Sequence, residues 1–220
     1  MPSPQKQKVL EKARKRQGRG RLYLVLGIVL IAIVVVGVYA YSSSQSHPDI
    51  VYAKLNTSMG LIEAELYWSK TPQTVSNFVS LGKSGFYNNL VWHRIVKGFV
   101  IQTGDPYTKN GLNNNTGTRG TAHGPTKLPL ELDSSLHNYA GYLAMAHLSG
   151  DVNSGTSQFF INLVDNTANL DNQYTVFGKV ITGMNVVDLI GNAPVCLACN
   201  PTDQPSPFIF LNNVTISNNP

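Results

Sequence analysis

Charge is scarce in this 220-residue chain: Asp, Glu, Lys and Arg make up 13% of it, against 42% hydrophobic residues. That balance excludes a disordered chain, which combines low hydrophobicity with high net charge. Cysteine is scarcer still. Two residues cannot form a disulfide framework or a four-thiolate zinc site, so any core is held by ordinary packing. The five histidines include no HExxH-type or other metal-ligand spacing, so a metal centre is not expected, and neither is a cofactor. There is no internal repeat.

The net charge of +5 suggests nucleic acid until it is mapped. Residues 1–21 hold eight of the 17 Lys/Arg and one of the 12 Asp/Glu, a local balance of +7, which leaves −2 for the remainder. The basic stretch therefore reads as a topology signal rather than a nucleic-acid surface. Residues 22–41 follow it, twenty residues without a charge, enough at 1.5 Å per residue to cross about 30 Å of hydrocarbon. Tyr23, Tyr39 and Tyr41 lie near its ends, and Lys12, Arg14, Lys15, Arg16, Arg19 and Arg21 precede it. The expectation is a single-pass signal anchor in the cell membrane with a cytoplasmic N-terminus and the rest of the chain outside. A cleaved signal peptide is the competing reading; the apolar run is longer and the basic region larger than such peptides carry. Residues 42–49 form a polar linker.

Residues 50–217 are enough for one domain with a substantial core. Residues 51–56 and 61–67 alternate apolar and polar side chains around Thr57-Ser58-Met59-Gly60, which predicts a hairpin. Thr71-Pro72 predicts a helix start, with Thr71 as cap, followed by Val75, Phe78, Val79 and Gly82 at helical spacing up to about Gly85. Short apolar runs at 95–101, 142–146, 158–163, 174–181 and 208–216 are separated by Gly, Asn, Asp and Pro and read as strands. A second helix fits 184–190, with Gly191 as its stop. The pattern predicts a mainly β domain, a closed barrel with helical caps. Residues 103–128 form a long polar stretch, either functional or disordered. Three glycosylation sequons begin at Asn56, Asn114 and Asn213.

Trp92-His93-Arg94-Ile95-Val96-Lys97-Gly98-Phe99-Val100-Ile101-Gln102-Thr103-Gly104-Asp105 resembles the central signature of the cyclophilins. Leu143-Ala144-Met145-Ala146 with Gly155-Thr156-Ser157-Gln158-Phe159-Phe160-Ile161 is similar to the second signature of that family, and residues 170–180 to the third. The resemblance covers residues 50–217 in order. It implies an eight-stranded antiparallel barrel capped by two helices, and peptidyl-prolyl cis-trans isomerase activity in protein folding.

Rotation about an amide meets a barrier of about 18–20 kcal/mol, and X–Pro is the bond at which both isomers are populated. No covalent bond changes, so the catalyst needs only groups that bind the twisted amide best. A fixed cationic donor can hydrogen-bond the proline nitrogen as it regains its lone pair, and Arg94 matches the catalytic arginine of the family. Phe99, Val100, Phe160, Leu170 and Tyr174 match the apolar proline pocket. Gln102 and Gln158 are polar residues in apolar strands that either satisfy neighbours or bind peptide. The resemblance favours the second for Gln102, as a residue that positions Arg94 or the substrate carbonyl. Ala146 and His147 are expected to offer main-chain groups to an extended peptide, and His93 is counted with Arg94 and Gln102 among the catalytic residues, the competing reading being a hydrogen-bonded side chain that orients the strand beside Arg94.

Several positions depart from the family pattern. Asn169 stands where many cyclophilins carry tryptophan, which argues against tight cyclosporin binding. Tyr174 replaces a common histidine, His147 a common asparagine and Val100 a common methionine. Cys196 and Cys199 lie outside the pattern; an outward-facing domain favours a local disulfide between them over a redox pair or free thiols. The leading expectation is a membrane-anchored, monomeric isomerase acting on proline-containing polypeptides that are exported or displayed at the surface. The alternative is a tethered cyclophilin-fold module that binds proline-containing segments with little catalysis.

Overall fold

The computed structural model describes residues 28, 30–36, 48–109, 111, 126–199 and 202–220. The chain divides into two units, Met1–His47 and Pro48–Pro220. In the first, residues 28 and 30–36 are helical with exposed side chains. The rest of the expected membrane segment at 22–41, the basic stretch 1–21 and residues 42–47 of the linker lie outside the described residues. Among the described residues no helix is long and apolar enough to cross a membrane.

The second unit begins with the predicted hairpin. Strands β1 (Ile50–Thr57) and β2 (Gly60–Tyr67) pair from Ile50↔Tyr67 to Thr57↔Gly60. Their alternation puts Val51, Ala53, Leu55, Ile62, Ala64 and Leu66 in the core. The turn is held by Thr57, whose hydroxyl donates to Gly60 O (2.6 Å) and accepts from Met59 N (3.1 Å). Helix α1 (Pro72–Lys83) follows. Thr71 stands at its N-cap position without a side-chain cap bond; its hydroxyl reaches back to Tyr67 O (3.4 Å). The cap comes instead from Glu131, whose carboxylate accepts from Gln73 N (3.0 Å), Thr74 N (2.8 Å) and Thr74 Oγ1 (2.7 Å). An anion there satisfies free N–H groups and meets the positive end of the helix dipole.

The remaining strands are β3 (Leu90–Val91), β4 (Arg94–Val96), β5 (Val100–Thr103), β6 (Tyr142–Met145), β7 (Phe159–Asn162), β8 (Val176–Thr182), β9 (Val195–Cys196), β10 (Gln204–Pro205) and β11 (Phe210–Ser217). Helices α2 (Thr167–Leu170), a single turn absent from the sequence expectation, and α3 (Met184–Gly191) are interspersed. The predicted run at 95–101 is split into β4 and β5 by a turn in which Gly98 takes φ +67°. Gly191 is the last residue of α3 rather than its left-handed cap; a Cβ there would meet Leu163 at 2.7 Å, so its role is close packing.

Nine strands form one curled antiparallel sheet in the order β3-β11-β1-β2-β8-β6-β7-β5-β4, and β9 and β10 make a separate pair. This corrects the closed eight-stranded barrel: the end strands β3 and β4 are bonded to β11 and β5 but not to each other. Both come from one stretch, residues 90–96, which breaks at Trp92-His93 and so supplies both ends of the sheet. Trp92 N instead donates to Ile209 O (2.9 Å) and Ile95 N to Asp203 O (2.8 Å). Elsewhere β1 and β11 lie side by side, with Tyr52 opposite Ser217.

The main core fills the inner face of the sheet, with Phe78, Tyr87, Trp92, Phe159 and Phe177 as its large aromatic residues. A second, smaller cluster of Val100, Ala144, Ala146, Phe160, Leu170 and Val176 lies apart from it, with Phe99, Leu136, Tyr142 and Tyr174 packed around.

Candidate active site

Successive residues of a strand face opposite sides of the sheet. In β5, Ile101 joins the main core and Val100 the second cluster; in β7, Phe159 and Ile161 point inward and Phe160 outward; in β6, Leu143 and Met145 point inward and Ala144 outward. Cross-strand register then aligns the outward set, with Arg94 opposite Gln102, Gln102 opposite Phe160 and Phe160 opposite Ala144. The result is a cleft of about 360 Å³ lined by Arg94, Phe99, Val100, Gln102, Ala146, His147, Phe160, Leu170 and Tyr174, together with Ser149, Gly150 and Gln173. Those last three were not singled out from the sequence; they flank His147 and Tyr174, which were.

Arg94 Nη1 donates to Gln102 Oε1 (3.5 Å), and Gln102 Nε2 donates to Gln158 Oε1 (2.7 Å). Each amide thus has its orientation set by the next. Gln158, expected at the cleft, is fully buried behind it, and its oxygen is taken by Gln102. His93 is also buried behind the cleft rather than lining it. Neither His93 ring nitrogen, nor Trp92 Nε1, nor Gln158 Nε2 has a hydrogen-bond partner among the described residues. Burial pushes the His93 imidazole down to about 4; Asp105, the Gln158 amide and the Val91 backbone oppose this without a bond of good geometry, and Arg94 adds to it. His93 is therefore neutral at pH 7.

The far wall is aromatic. Tyr174 meets Phe160 edge-on at 5.4 Å (81°) and stacks on His147 at 4.3 Å (20°). The His147 ring joins two segments, with Nδ1 2.9 Å from Leu148 O and Nε2 2.9 Å from Gln173 O. The Ala146 N–H, expected to be open to a peptide, donates to Gln158 O (2.9 Å) because β6 extends its pairing past Met145. Away from the cleft, Cys196 and Cys199 are joined by a disulfide at the β9–β10 pair. Among the described residues no group of three or more His, Cys, Asp or Glu is placed to hold a metal.

A curled antiparallel sheet whose outer face carries a cleft with an apolar patch, an arginine and a glutamine in register beside it, defines the cyclophilin-like class. The family model for cyclophilin-type peptidyl-prolyl cis-trans isomerases matches residues 52–215. The chain is 40% identical over 167 residues to peptidyl-prolyl cis-trans isomerase-like 3 of Dictyostelium discoideum, covering 76% of this chain and 95% of that protein. It is 38% identical to peptidyl-prolyl cis-trans isomerase CYP18-1 of Arabidopsis thaliana, covering 76% and 96% respectively. A Cryptosporidium parvum cyclophilin solved in the presence of the dipeptide Ala-Pro superposes with a TM-score of 0.64 at 29% identity, over 76% of this chain and 99% of that one. The chain belongs to the cyclophilin-type peptidyl-prolyl cis-trans isomerases.

Proposed function

We propose that this cyclophilin is tethered to a membrane and accelerates rotation about Xaa-Pro bonds in exported or surface proteins. In this reading residues 1–21 are a basic cytoplasmic tail, 22–41 a single-pass anchor, 42–49 a linker and 50–217 a monomeric isomerase domain outside the cytoplasm. The uncharged run of twenty residues behind a cationic stretch supports the tether and its direction. The neighbour solved with Ala-Pro supports a proline-containing ligand.

The chemistry follows from the cleft. Phe99, Val100, Phe160, Leu170 and Tyr174 receive the proline ring, and Ala146 and His147 run along the peptide. As the amide twists, its nitrogen regains a lone pair, and Arg94 donates to that lone pair. The planar guanidinium presents its N–H donors in a fixed fork. Gln102, itself held by Gln158, keeps Arg94 aimed before substrate arrives, so the donor does not reorganise during the twist. His93, buried and neutral, packs behind Arg94 without adding a second positive charge. The observation that carries the reading is Arg94, which lines a cleft beside the apolar patch of Phe99, Val100, Phe160 and Leu170 and has no ion-pair partner among the described residues.

Full-length protein in detergent, assayed on several Xaa-Pro peptides, tests it. Arg94→Ala should lower kcat/KM by about 10²–10³-fold with an unchanged unfolding midpoint, since the guanidinium acts in the transition state. A folded but inactive wild type, or a variant near wild-type turnover, overturns the assignment. Protease added to right-side-out vesicles should remove residues 50–217; protection reverses the orientation, and release of the chain by an alkaline wash removes the anchor.

A further inference from the structure

Three asparagines lie between the second cluster and the loops that frame the cleft. Asn138 and Asn162 are 0% exposed and Asn166 is 3% exposed. Buried amides are costly unless their hydrogen bonds are made. Here a continuous chain makes them. Asn166 Nδ2 donates to Phe99 O (2.9 Å) and to Asn162 Oδ1 (2.8 Å). Asn162 Nδ2 donates to Asn138 Oδ1 (3.2 Å) and Tyr142 O (3.1 Å). Asn138 Nδ2 donates to Asp171 Oδ1 (3.0 Å), which also accepts from Asn138 N (2.9 Å), and Asp171 Oδ2 lies 2.7 Å from His137 Nδ1.

The direction of the chain is forced. Turning the Asn162 amide over would set its oxygen against Asn138 Oδ1 and Tyr142 O; turning Asn166 over would set oxygen against Phe99 O and Asn162 Oδ1. From Asn166 through Asn162 and Asn138 one N–H of each amide donates to the next member toward the Asp171 carboxylate, while the second N–H of Asn166 and of Asn162 leaves the chain for Phe99 O and Tyr142 O. Burial opposes the ionisation of Asp171, but the Asn138 bonds and His137 outweigh it and hold the carboxyl below its usual range. The chain therefore ends on a fixed anion.

What it holds is the cleft. Phe99 sits in the β4–β5 turn and Leu170 at the end of α2, and both line the cleft from segments that share no ladder. Asn166 touches the backbone of both, since its side chain is a second donor to Phe99 O beside Leu163 N (2.9 Å) and its carbonyl accepts from Leu170 N (3.0 Å). Arg94 and Gln102, by contrast, are set by the β4–β5 pairing and the Gln102–Gln158 bond. We propose that Asn162 and Asn166 are positioning residues that set the spacing between Phe99 and Leu170, and so the fit of the proline ring, independently of Arg94. The proposal rests on the reading that the cleft takes that ring.

The test separates KM from kcat in the full-length protein on one Xaa-Pro peptide. Asn166→Ala should raise KM about 5- to 20-fold with kcat within about twofold, the scale of one or two buried hydrogen bonds lost from ground and transition state alike. Asn166→Asp should show the same rise at pH 7 and recover part of it toward pH 5, where a protonated carboxyl can again donate to Phe99 O; a role confined to stability would not return KM on acidification. Phe160→Ala is the control for the underlying reading: if it too leaves KM unchanged, the cleft is not the proline site and the failure lies there. With Phe160→Ala raising KM, an unchanged KM in Asn166→Ala overturns the proposal. Should Asn166→Ala fail to fold, Asn162→Ala decides: it leaves the Phe99 bond in place but frees the Asn166 amide to turn, and a KM equal to wild type overturns the proposal.

Discussion

Phe159 and Phe160 are adjacent, chemically identical and nearly equally buried, and they do different work because they face opposite sides of β7. Phe159 packs edge-on against Phe78 at 5.2 Å, Tyr87 at 5.7 Å and Trp92 at 6.1 Å, in a large and mainly apolar cluster. Phe160 sits in a small cluster bordered by Arg94, Gln102 and His147, where a few polar contacts decide the geometry. The inner face is held by many interchangeable contacts and the outer face by few specific ones. Function is therefore open to change on one face without loss of the fold carried by the other.

The sharpest way to break this contrast is to truncate both rings. Phe159→Ala should cost about 3–5 kcal/mol of stability, the usual loss for a buried ring, read as a lower unfolding midpoint with KM little changed in the fraction that stays folded. Phe160→Ala should raise KM about tenfold or more, an effect Phe159→Ala does not share. Equal stability losses with equal kinetics would erase the distinction between the faces.

A second effect lies between the faces. His93 is buried neutral, with its folded value lowered to about 4 from an ordinary 6.5. The unfolded chain thus binds a proton that the folded chain refuses. Stability is fully present above about pH 6.5 and is lost as pH falls toward 4, at a slope approaching ~1.4 kcal/mol per pH unit. Thermal unfolding of wild type and His93→Gln over pH 4–7 checks this; parallel curves would show that His93 is not the group responsible.

The smallest effect concerns a contact on neither face. Glu131→Ala removes the cap of α1 and should cost about 1–2 kcal/mol, as other lost N-caps do, while turnover stays within twofold. A change in KM without a change in melting would instead tie α1 to the cleft.

How much of this was legible beforehand follows the same division. The β1–β2 hairpin and α1 are visible in the sequence because each buries one face and repeats with its own period. The two-residue strands β3, β9 and β10 have no period to show, and the open seam between β3 and β4 arises because one stretch breaks at Trp92-His93. Motif identity gathers Arg94, Phe99, Val100, Gln102, Phe160, Leu170 and Tyr174, all of which line the cleft. It also gathers His93 and Gln158, which stand behind it; the motif names a residue but not which side of the sheet its side chain takes. Glu131 lies 57 residues from the helix residue it caps, beyond the reach of any local pattern. The asparagine chain was equally hidden, since Asn138, Asn162 and Asn166 look like ordinary loop and strand-end residues until the fold brings them together.

The pairing of β1 with β11 has a practical meaning for how the enzyme can be displayed. With Tyr52 opposite Ser217, the folded unit begins and finishes at the same side of two neighbouring strands. The cleft is lined from β4, β5 and β7, the segment that follows β6 and the end of α2 with the residues after it. A tag joined at either end of the unit therefore departs from the same pair of strands, neither of which contributes a residue to the cleft.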